Sequence, residues 1–297
     1  MDVPSWLGWW RSVPGGPEWL AALPRLAAEC AENWQLRLGA PLPGGNVSLV
    51  LEAVRADGSP AVLKLNFPQP ESQHETDALE LWDGAGAVAL YARDDQRRAL
   101  LIERCLPGSA LWEIERERDA YTIAGRVLRR LWRPAPAGSP FRALSGEAWR
   151  WAEELPAEWE RLGGPFERRL IDLAVSAVHD LVPSQGRAVI VHQDLHGGNI
   201  LRAEREPWLA IDPKPLIGEP AFDAASLLRD RRRELRRDPA PGRRIRRRLD
   251  QLSSELDLDR ERVRGWGIVH ALAWGISGQT AKVEADMVAC ARWLADA

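Results

Sequence analysis

The sequence is poor in cysteine and lysine and contains no long apolar run. Its three cysteines, Cys30, Cys105 and Cys290, are odd in number and far apart, so we expect reduced thiols in the core and neither disulfides nor a zinc site. No stretch approaches the roughly 18 apolar residues that a membrane span needs. The N-terminus also lacks the basic start and apolar stretch of a secretory signal. These absences predict a cytoplasmic protein without a membrane partner.

What remains is the composition of a globular chain with a large core. The 297 residues are 45% hydrophobic and 28% charged, with a formal net charge of -3, and their number allows two lobes of ordinary domain size. Arginine dominates the 40 basic residues, and only Lys64, Lys214 and Lys282 are lysines. Because lysine is so scarce, each of the three is a candidate for a specific role.

A basic run over residues 229–248 raises the question of nucleic-acid binding. Acidic residues interrupt its arginines, and Leu235, Ile245 and Leu249 recur at helical spacing. This pattern favours two amphipathic helices that turn their arginines to solvent. A net charge of -3 is also unlike that of a chain devoted to binding phosphate backbones. We therefore expect no nucleic-acid partner.

Hydrophobic spacing predicts an α+β fold with two lobes. The first lobe, residues 1–105, is a small antiparallel sheet with one main helix, and the second, residues 106–297, is larger and mostly helical. In the first lobe the predicted helices are 17–34 and 71–82, and the predicted strands are 34–38, 47–54, 61–65, 87–92 and 99–104. In the second lobe two short strands, 188–191 and 208–211, interrupt predicted helices at 109–118, 119–132, 144–162, 166–182, 221–237, 240–256, 259–278 and 280–295.

Residues 191–201 carry the strongest chemical signal. An apolar strand delivers Asp194, a His/Gly loop turns, and Asn199 leads into a second apolar stretch, while a third apolar stretch ends at Asp212. Phosphoryl transfer needs one carboxylate to accept the hydroxyl proton, and an Asn and an Asp to hold a metal on the nucleotide phosphates. We therefore predict Asp194 as the catalytic base and Asn199 and Asp212 as ligands of Mg²⁺, which prefers oxygen atoms. His192 is expected to brace the loop by hydrogen bonding to the backbone.

Lys64 lies inside the apolar third strand, where an ammonium group is costly unless it meets an anion. The available anions are the nucleotide phosphates and the carboxylates of the following helix, Glu75 and Glu80. Glu75 comes one turn before the packing residues Leu79 and Trp82, so we prefer it. The sequence thus predicts that Lys64 and Glu75 form part of a nucleotide-binding site.

Two backbone segments are further candidates for nucleotide binding. The turn between the first two strands is flexible enough to approach phosphates, although it lacks the G-x-G-x-x-G and G-x-x-x-x-G-K-[ST] patterns. Its candidate residues are Gly45, Asn46, Val47 and Ser48. At the end of the fifth strand, the backbone of Glu103 and Cys105 is a candidate to bind the nucleotide base, with side chains of little importance.

Several of these motifs together resemble the aminoglycoside phosphotransferases, and more narrowly the branch of streptomycin 6-kinases and hydroxyurea phosphotransferases. The matching segments are residues 61–65, 194–196, 199–201, 204–213 and 218–223. The resemblance implies a bilobal protein-kinase-like fold, ATP or GTP with Mg²⁺, and transfer of the terminal phosphoryl group to a hydroxyl of a small molecule such as streptomycin. It also implies that Asp223 is a structural brace near the catalytic loop.

The acceptor stays open at this point. Streptomycin kinases carry bulkier or acidic residues where this chain has Gly197 and Gly198, so hydroxyurea, a peptide antibiotic, a sugar and an amino sugar remain alternatives. A more distant alternative is an inactive kinase-like binding module. Such a module would be expected to lose at least one of four residues that this chain keeps, Lys64, Asp194, Asn199 and Asp212. A polycationic acceptor would need carboxylates from the helical lobe, for which the candidates are Glu113, Glu115, Glu117, Asp119, Glu153, Glu154, Glu284 and Asp286. We expect the enzyme to be a monomer.

Overall fold

The computed structural model describes residues 2–45, 47–277 and 282–297, which belong to two compact units. The first unit contains the chain as far as Gly108 together with Ala203–Leu209. The second contains Ser109–Arg202 and the chain from Ala210 onward. The sequence pattern suggested a division near residue 105 and carried no sign that Ala203–Leu209 groups with the first unit. Within the described residues, no helix has both the length and the apolar character to cross a membrane.

The first unit is built on a five-stranded antiparallel sheet. After a 3₁₀ helix at Ser5–Ser12, its elements are α1 (Gly16–Asn33), β1 (Arg37–Pro41), β2 (Ser48–Val54), β3 (Pro60–Asn66), α2 (Glu75–Trp82), β4 (Leu90–Asp94) and β5 (Ala99–Glu103). The strand order is β1-β2-β3-β5-β4, so β3 lies at the centre. The small antiparallel sheet predicted from the sequence is confirmed.

One face of this sheet forms a core with α1 and the preceding 3₁₀ helix. Trp10 stacks on Phe67 with the ring centroids 3.8 Å apart. Because side chains alternate along a strand, Leu63 and Leu65 of β3 enter this core while Lys64 between them faces the other way. The alternation therefore places the lysine on the sheet face opposite the aromatic cluster.

Three elements of the first unit begin three or more residues later than predicted. One of them is the strand predicted over 87–92, which is β4 at Leu90–Asp94. The strand predicted over residues 34–38 begins only at Arg37, because α1 ends at Asn33 and Gln35 adopts a left-handed φ of 53° between them. The helix predicted over 71–82 begins at Glu75, because a 3₁₀ turn occupies Pro70–Ser72.

The second unit is mostly helical, as predicted. Its helices are α3 (Glu117–Leu131), α4 (Leu144–Arg161), α5 (Arg168–Leu181), α6 (Pro220–Leu228), α7 (Arg232–Arg237), α8 (Pro241–Leu256), α9 (Arg260–Gly275) and α10 (Ala285–Ala295). Its short strands are β6 (Arg142–Ala143), β7 (Val189–Val191), β8 (Ile200–Arg202), β10 (Leu216–Gly218), β11 (Ile276–Ser277) and β12 (Lys282–Val283), while β9 (Trp208–Ala210) begins in the Ala203–Leu209 segment that groups with the first unit. With the sheet of the first unit, these elements confirm the α+β class.

Helix α9 forms the centre of the second unit, where it packs against α5, α6 and α10. Trp266 of α9 is fully buried and meets Phe222 of α6 edge-on, with ring centroids 5.4 Å apart. The indole also donates its Nε1–H to Glu219 Oε1 over 2.5 Å, so its one polar atom is satisfied inside the core. Beside this core, β10 pairs with β7 antiparallel and with β6 parallel.

Several predicted helices of the second unit are wrong in extent. In place of the helix predicted over 109–118 there is a 3₁₀ turn at Leu111–Glu113, and residues 117 and 118 already belong to α3. The helix predicted over 221–237 breaks after Leu228, and Arg231 has a left-handed φ of 49° just before α7. The helix predicted over 259–278 gives way to β11 at Ile276, and the one predicted over 280–295 begins at Ala285, with 280 and 281 outside the described residues.

The arginines of the basic run do not all face solvent, contrary to the prediction. Arg229 and Arg248 are buried. The Arg248 guanidinium donates to the Glu117 carboxylate and, over 2.6 Å, to the backbone oxygen of Asp230, and Arg244 donates to Glu117 over 2.9 Å. An arginine at helical spacing gives the same pattern whether it is paired inside or exposed, so the sequence could not separate the two. Glu117 is therefore committed to two arginines.

The three cysteines are buried free thiols, which confirms the expectation of reduced core residues. Burial raises the pKa of the Cys30 and Cys290 thiols to about 11 and that of Cys105 to about 12. These thiols stay protonated at neutral pH, so they are poor nucleophiles and poor metal ligands.

Candidate active site

The loop that follows β7 is anchored from beneath by Asp223. One carboxylate oxygen accepts the backbone N–H of His192 over 3.0 Å and the indole N–H of Trp132 over 3.0 Å. The other accepts the backbone N–H of Gln193 over 2.9 Å. Burial raises the pKa of Asp223, while these three donors favour its ionised form. The two residues directly before Asp194 are thereby fixed to α6.

Asp194 has a cation on each carboxylate oxygen. Lys214 Nζ lies 2.6 Å from Oδ2, and Arg229 Nη2 lies 2.7 Å from Oδ1. Burial alone would raise the pKa of this carboxyl, but the Lys214 ammonium and the Arg229 guanidinium outweigh it and hold the pKa well below its usual range. Asp194 is therefore ionised at neutral pH, with one cation on each of its oxygens.

The two cations differ in freedom. Arg229 is only 7% exposed, and its Nε donates to His270 Nδ1 over 3.0 Å. His270 in turn donates Nε2–H to the backbone oxygen of Gln193 over 3.0 Å, and burial lowers its pKa to about 3, so its ring is neutral. The Lys214 side chain is 19% exposed and carries its charge on a flexible stem. Arg229 is thus the more buried and more restrained partner of Asp194, and Lys214 is the more exposed one.

Backbone hydrogen bonds hold the Asp194 loop against the segment that contains Asp212. The backbone N–H of Ile211 donates to the backbone oxygen of Asn199 over 2.9 Å, and the His192 side chain donates Nε2–H to the backbone oxygen of Ile211 over 3.0 Å. Burial lowers the pKa of His192, which keeps the ring neutral. Asp212 itself has a left-handed φ of 58°, a conformation that costs energy for a non-glycine residue and persists only where its surroundings impose it.

The oxygen donors of this segment fit a magnesium ion. Asn199 donates its side-chain N–H to the backbone oxygen of Asp194 over 3.0 Å, which commits its nitrogen and leaves the amide oxygen as the donor atom. Asp212 supplies a carboxylate. The described residues contain no cluster of three or more His, Cys, Asp or Glu able to hold a metal alone. One carboxylate and one neutral oxygen suit Mg²⁺, which usually takes its other ligands from phosphates and water.

In the first unit, Lys64 and Glu75 lie together. Lys64 Nζ is 2.6 Å from one carboxylate oxygen of Glu75, and Asn66 donates its side-chain N–H to the other over 2.7 Å. All three residues are buried. The carboxylate thus fixes a lysine ammonium on the sheet face opposite the aromatic core.

The turn before β2 is tight at Gly45. A Cβ there would lie 2.6 Å from the Ser48 backbone oxygen, so a side chain cannot be added without moving the backbone. Ser48 is buried and pairs with Asn66 across the strands, and the Val47 oxygen accepts the Phe67 N–H over 3.0 Å. Asn46, the fourth residue predicted for this turn, lies outside the described residues.

At the end of β5 the side chain of Glu103 is bonded within the first unit. Its carboxylate accepts from Arg205 over 2.7 Å and from the backbone N–H of Ala89 over 3.0 Å. The backbone N–H of Glu103 is itself taken by the Ala89 oxygen over 2.9 Å. Cys105 is buried. Of the predicted backbone groups, the Glu103 N–H is therefore committed within the sheet.

Sequence reasoning missed Lys214, Arg229 and His270 as neighbours of Asp194. The scarcity of lysine, and the position of Lys214 two residues after Asp212, were the available signals for the first. Arg229 was hidden in the basic run. His270 lies 76 residues beyond Asp194 and is brought near it only by the packing of α9.

Trp112 was also missed, and it lies against the Asp194 loop. Its indole donates Nε1–H to Asp230 Oδ1 over 2.5 Å, and the backbone N–H of Gly197 donates to Asp230 Oδ2 over 2.8 Å. The ring stacks on His196 with centroids 5.0 Å apart and an interplanar angle of 7°. Among the candidate acceptor carboxylates, Asp286 pairs with Arg236, as Glu117 pairs with its arginines.

Comparison with known proteins gives consistent matches. The model of the aminoglycoside/hydroxyurea antibiotic resistance kinases matches residues 33–282. The chain is similar to streptomycin 6-kinase from Streptomyces griseus, with 37% identity over 99% of this chain and 97% of that one. It is also similar to hydroxyurea phosphotransferase from Kitasatospora aureofaciens, with 38% identity over 92% of this chain and 79% of that one. A solved choline kinase from Streptococcus pneumoniae covers 93% of this chain and 99% of its own with a TM-score of 0.65 at 16% identity, which confirms the kinase-like fold.

Proposed function

Because this chain belongs to the family of aminoglycoside/hydroxyurea antibiotic resistance kinases, we propose that it transfers the terminal phosphoryl group of ATP to a hydroxyl of an aminoglycoside such as streptomycin. The observation that carries the proposal is the Asp194 carboxylate, ionised between two cations, with Asn199 bonded to its backbone oxygen. The backbone of Asn199 is in turn bonded to Ile211, the residue before Asp212. Hydroxyurea is the second candidate acceptor, because a relative named hydroxyurea phosphotransferase is 38% identical to this chain.

The proposed reaction begins with the acceptor hydroxyl at Asp194. The hydroxyl displaces Lys214 from Oδ2 and donates its hydrogen bond there, while Arg229, held by His270, keeps the carboxylate in place. The hydroxyl oxygen then attacks the terminal phosphorus, its proton passes to Asp194, and the nucleoside diphosphate leaves. The displaced Lys214 ammonium is free to neutralise charge on the transferring group, which is the main work that this chemistry asks of a protein.

The remaining roles follow from the donor atoms. Asn199 and Asp212 would hold Mg²⁺, which supplies positive charge to the phosphates when it is bound. Lys64, oriented by Glu75, binds the nucleotide phosphates, and the tight turn at Gly45 and the end of β5 contribute backbone to the nucleotide. ATP is the proposed donor, with GTP as its alternative. We propose that the enzyme works in the cytoplasm as a monomer.

The test is nucleotide turnover with a panel of acceptors. Purified protein with ATP and Mg²⁺ is offered streptomycin, other aminoglycosides, a peptide antibiotic, hydroxyurea, glucose and glucosamine, and nucleoside diphosphate release is measured. We expect an aminoglycoside to stimulate turnover and to become phosphorylated, as mass spectrometry would show. No stimulation by any hydroxyl acceptor would refute the proposal.

The base is tested in the same assay with Asp194→Asn. Removal of a positioned base typically costs about 10²–10⁴-fold in kcat, and we expect a loss in this range with nucleotide binding retained. Asp180→Asn, an exposed aspartate on α5, is the matched control. An Asp194→Asn variant that turns over at the rate of the control would remove Asp194 from the mechanism.

A further inference from the structure

Gly197 and Gly198 are glycines because an indole occupies the space that a side chain would need. A Cβ on Gly197 would lie 2.6 Å from Trp112 Cδ1, and a Cβ on Gly198 would lie 2.7 Å from two carbons at the far end of the same ring. Real Cβ contacts are essentially never so short. The indole therefore lies across both glycines, directly beside the loop of Asp194.

The position of Trp112 is fixed from several sides. Asp230 bridges the indole N–H and the backbone N–H of Gly197, which ties the ring to the loop. Arg231 donates to the backbone oxygens of Trp112 over 2.6 Å and of Ile114 over 2.8 Å, which ties the 3₁₀ turn to the start of α7. An aromatic ring held in this way is a preformed surface and loses little entropy when a ligand binds.

Despite these restraints, Trp112 is 47% exposed. A single exposed aromatic residue is ordinary on a protein surface, but this one is held beside the Asp194 loop by Asp230 and Arg231, where its exposed part can meet a ligand. Gly197 and Gly198 stand between Asp194 and Asn199 in the chain and present no side chain of their own, so the indole, stacked on His196, covers this part of the loop.

We propose that the exposed part of Trp112 is the acceptor platform, and that it takes an amino- or guanidino-bearing ring of the acceptor. The proposal rests on the phosphotransfer function above and specifies the class of acceptor. An indole attracts cations over its face and is the strongest of the aromatic side chains in this respect. The exposed carboxylates Glu113 and Glu115 follow it in the sequence and add negative charge, which suits a cationic acceptor and gives no advantage to a neutral one such as hydroxyurea.

The first test compares Trp112→Ala and Trp112→Phe with the wild type. We expect Trp112→Ala to raise the KM for a cationic aminoglycoside about threefold to thirtyfold, the range of a cation–aromatic contact, with the KM for ATP unchanged. Trp112→Phe keeps an aromatic face and should fall between the two. Trp6→Ala is the matched control, because Trp6 is 43% exposed and belongs to the first unit. Thermal denaturation of each variant shows that it is folded.

The second test uses coupling between Trp112 and Gly198. In the wild-type background, Gly198→Ala drives a methyl group into the indole and should raise the acceptor KM as Trp112→Ala does. In the Trp112→Ala background the two 2.7 Å contacts are gone and only His196 Cε1, at 3.0 Å, still limits the methyl group, so Gly198→Ala should add much less than in the wild type. This non-additivity is the signature of contact, and a merely structural tryptophan would not confine it to the acceptor KM.

The possible outcomes separate the platform from the enzyme. An aminoglycoside kinase whose acceptor KM is unchanged by Trp112→Ala, or in which the Trp112 and Gly198 effects simply add, overturns the platform alone. Turnover with hydroxyurea and with no cationic acceptor overturns the proposed acceptor class while phosphotransfer stands. Absence of turnover with every acceptor overturns the proposed function itself.

Discussion

The hydrogen bonds by which Asp223 anchors the Asp194 loop lead to a quantitative prediction for Asp223→Asn. The substitution keeps the size and shape of the side chain but replaces one of two accepting oxygens by an N–H₂ group. In the structure, the carboxylate accepts from His192, Gln193 and Trp132 within 2.9 to 3.0 Å. The amide oxygen can serve at most two of these donors in the same geometry, so one buried N–H is left facing another donor.

The expected loss follows from these three bonds. An unsatisfied buried N–H costs about 1–3 kcal/mol, and converting two bonds to a charged acceptor into neutral ones costs about 0.5–1.5 kcal/mol each. The sum is about 2–6 kcal/mol, a large part of the roughly 5–15 kcal/mol that stabilises a typical domain. The free amide of Gln193 also loosens the residue before Asp194, so we expect kcat to fall as well.

The assay is urea denaturation followed by circular dichroism, with kcat measured on the same samples. Asp180→Asn on α5 provides the control for a neutralised aspartate, because Asp180 is exposed. We expect the control to stay within about 0.5 kcal/mol of the wild type, as surface substitutions usually do. If Asp223→Asn were equally harmless, Asp223 would not be the anchor described here.

Two more predictions concern the lysines. Lys214→Met should move the acid limb of the pH profile of kcat/KM to higher pH, because the Lys214 ammonium helps to hold down the pKa of Asp194. Lys214→Arg keeps a cation there and should leave the limb in place. If the limbs of Lys214→Met and the wild type coincided, Asp194 would not be the group that titrates in this limb. Lys64→Met should cost about 3–5 kcal/mol of stability, because it leaves the Glu75 carboxylate buried without its cation. The double variant Lys64→Met/Glu75→Met should recover stability, as measured by urea denaturation, but it should not recover ATP turnover. Recovery of turnover in the double variant would show that the pair is only structural.

Local patterns in the sequence were enough to predict many of the strands and helices. Strand alternation around Lys64 and helical spacing around Glu75 placed an isolated charge in one strand and a carboxylate on the next helix, and the structure has them 2.6 Å apart. Strand 47–54, predicted from its alternation, differs by one residue from β2. Some predicted boundaries were wrong because a residue in the left-handed conformation, Gln35 or Arg231, lies between two elements. Neither residue type indicates that conformation in the sequence.

Contacts between residues that lie far apart in the chain could not be predicted from the sequence. Arg229 sits at the end of a helix in a run of arginines, and only the fold shows that its guanidinium binds Asp194. The glycines at 197 and 198 signalled a missing side chain but not that Trp112, more than 80 residues earlier, fills the space. Such pairs depend on tertiary packing, which periodicity does not encode.

The grouping of Ala203–Leu209 with the first unit has a consequence for recombination between relatives. Arg205 donates to the backbone oxygens of Gly84 and Ala87 over 2.7 and 3.0 Å and to the carboxylate of Glu103. A chimera made with a single crossover after Gly108 would take these partners from one parent and Arg205 from the other. Shuffling between members of the family therefore requires three junctions, so that this seven-residue segment travels with the first unit.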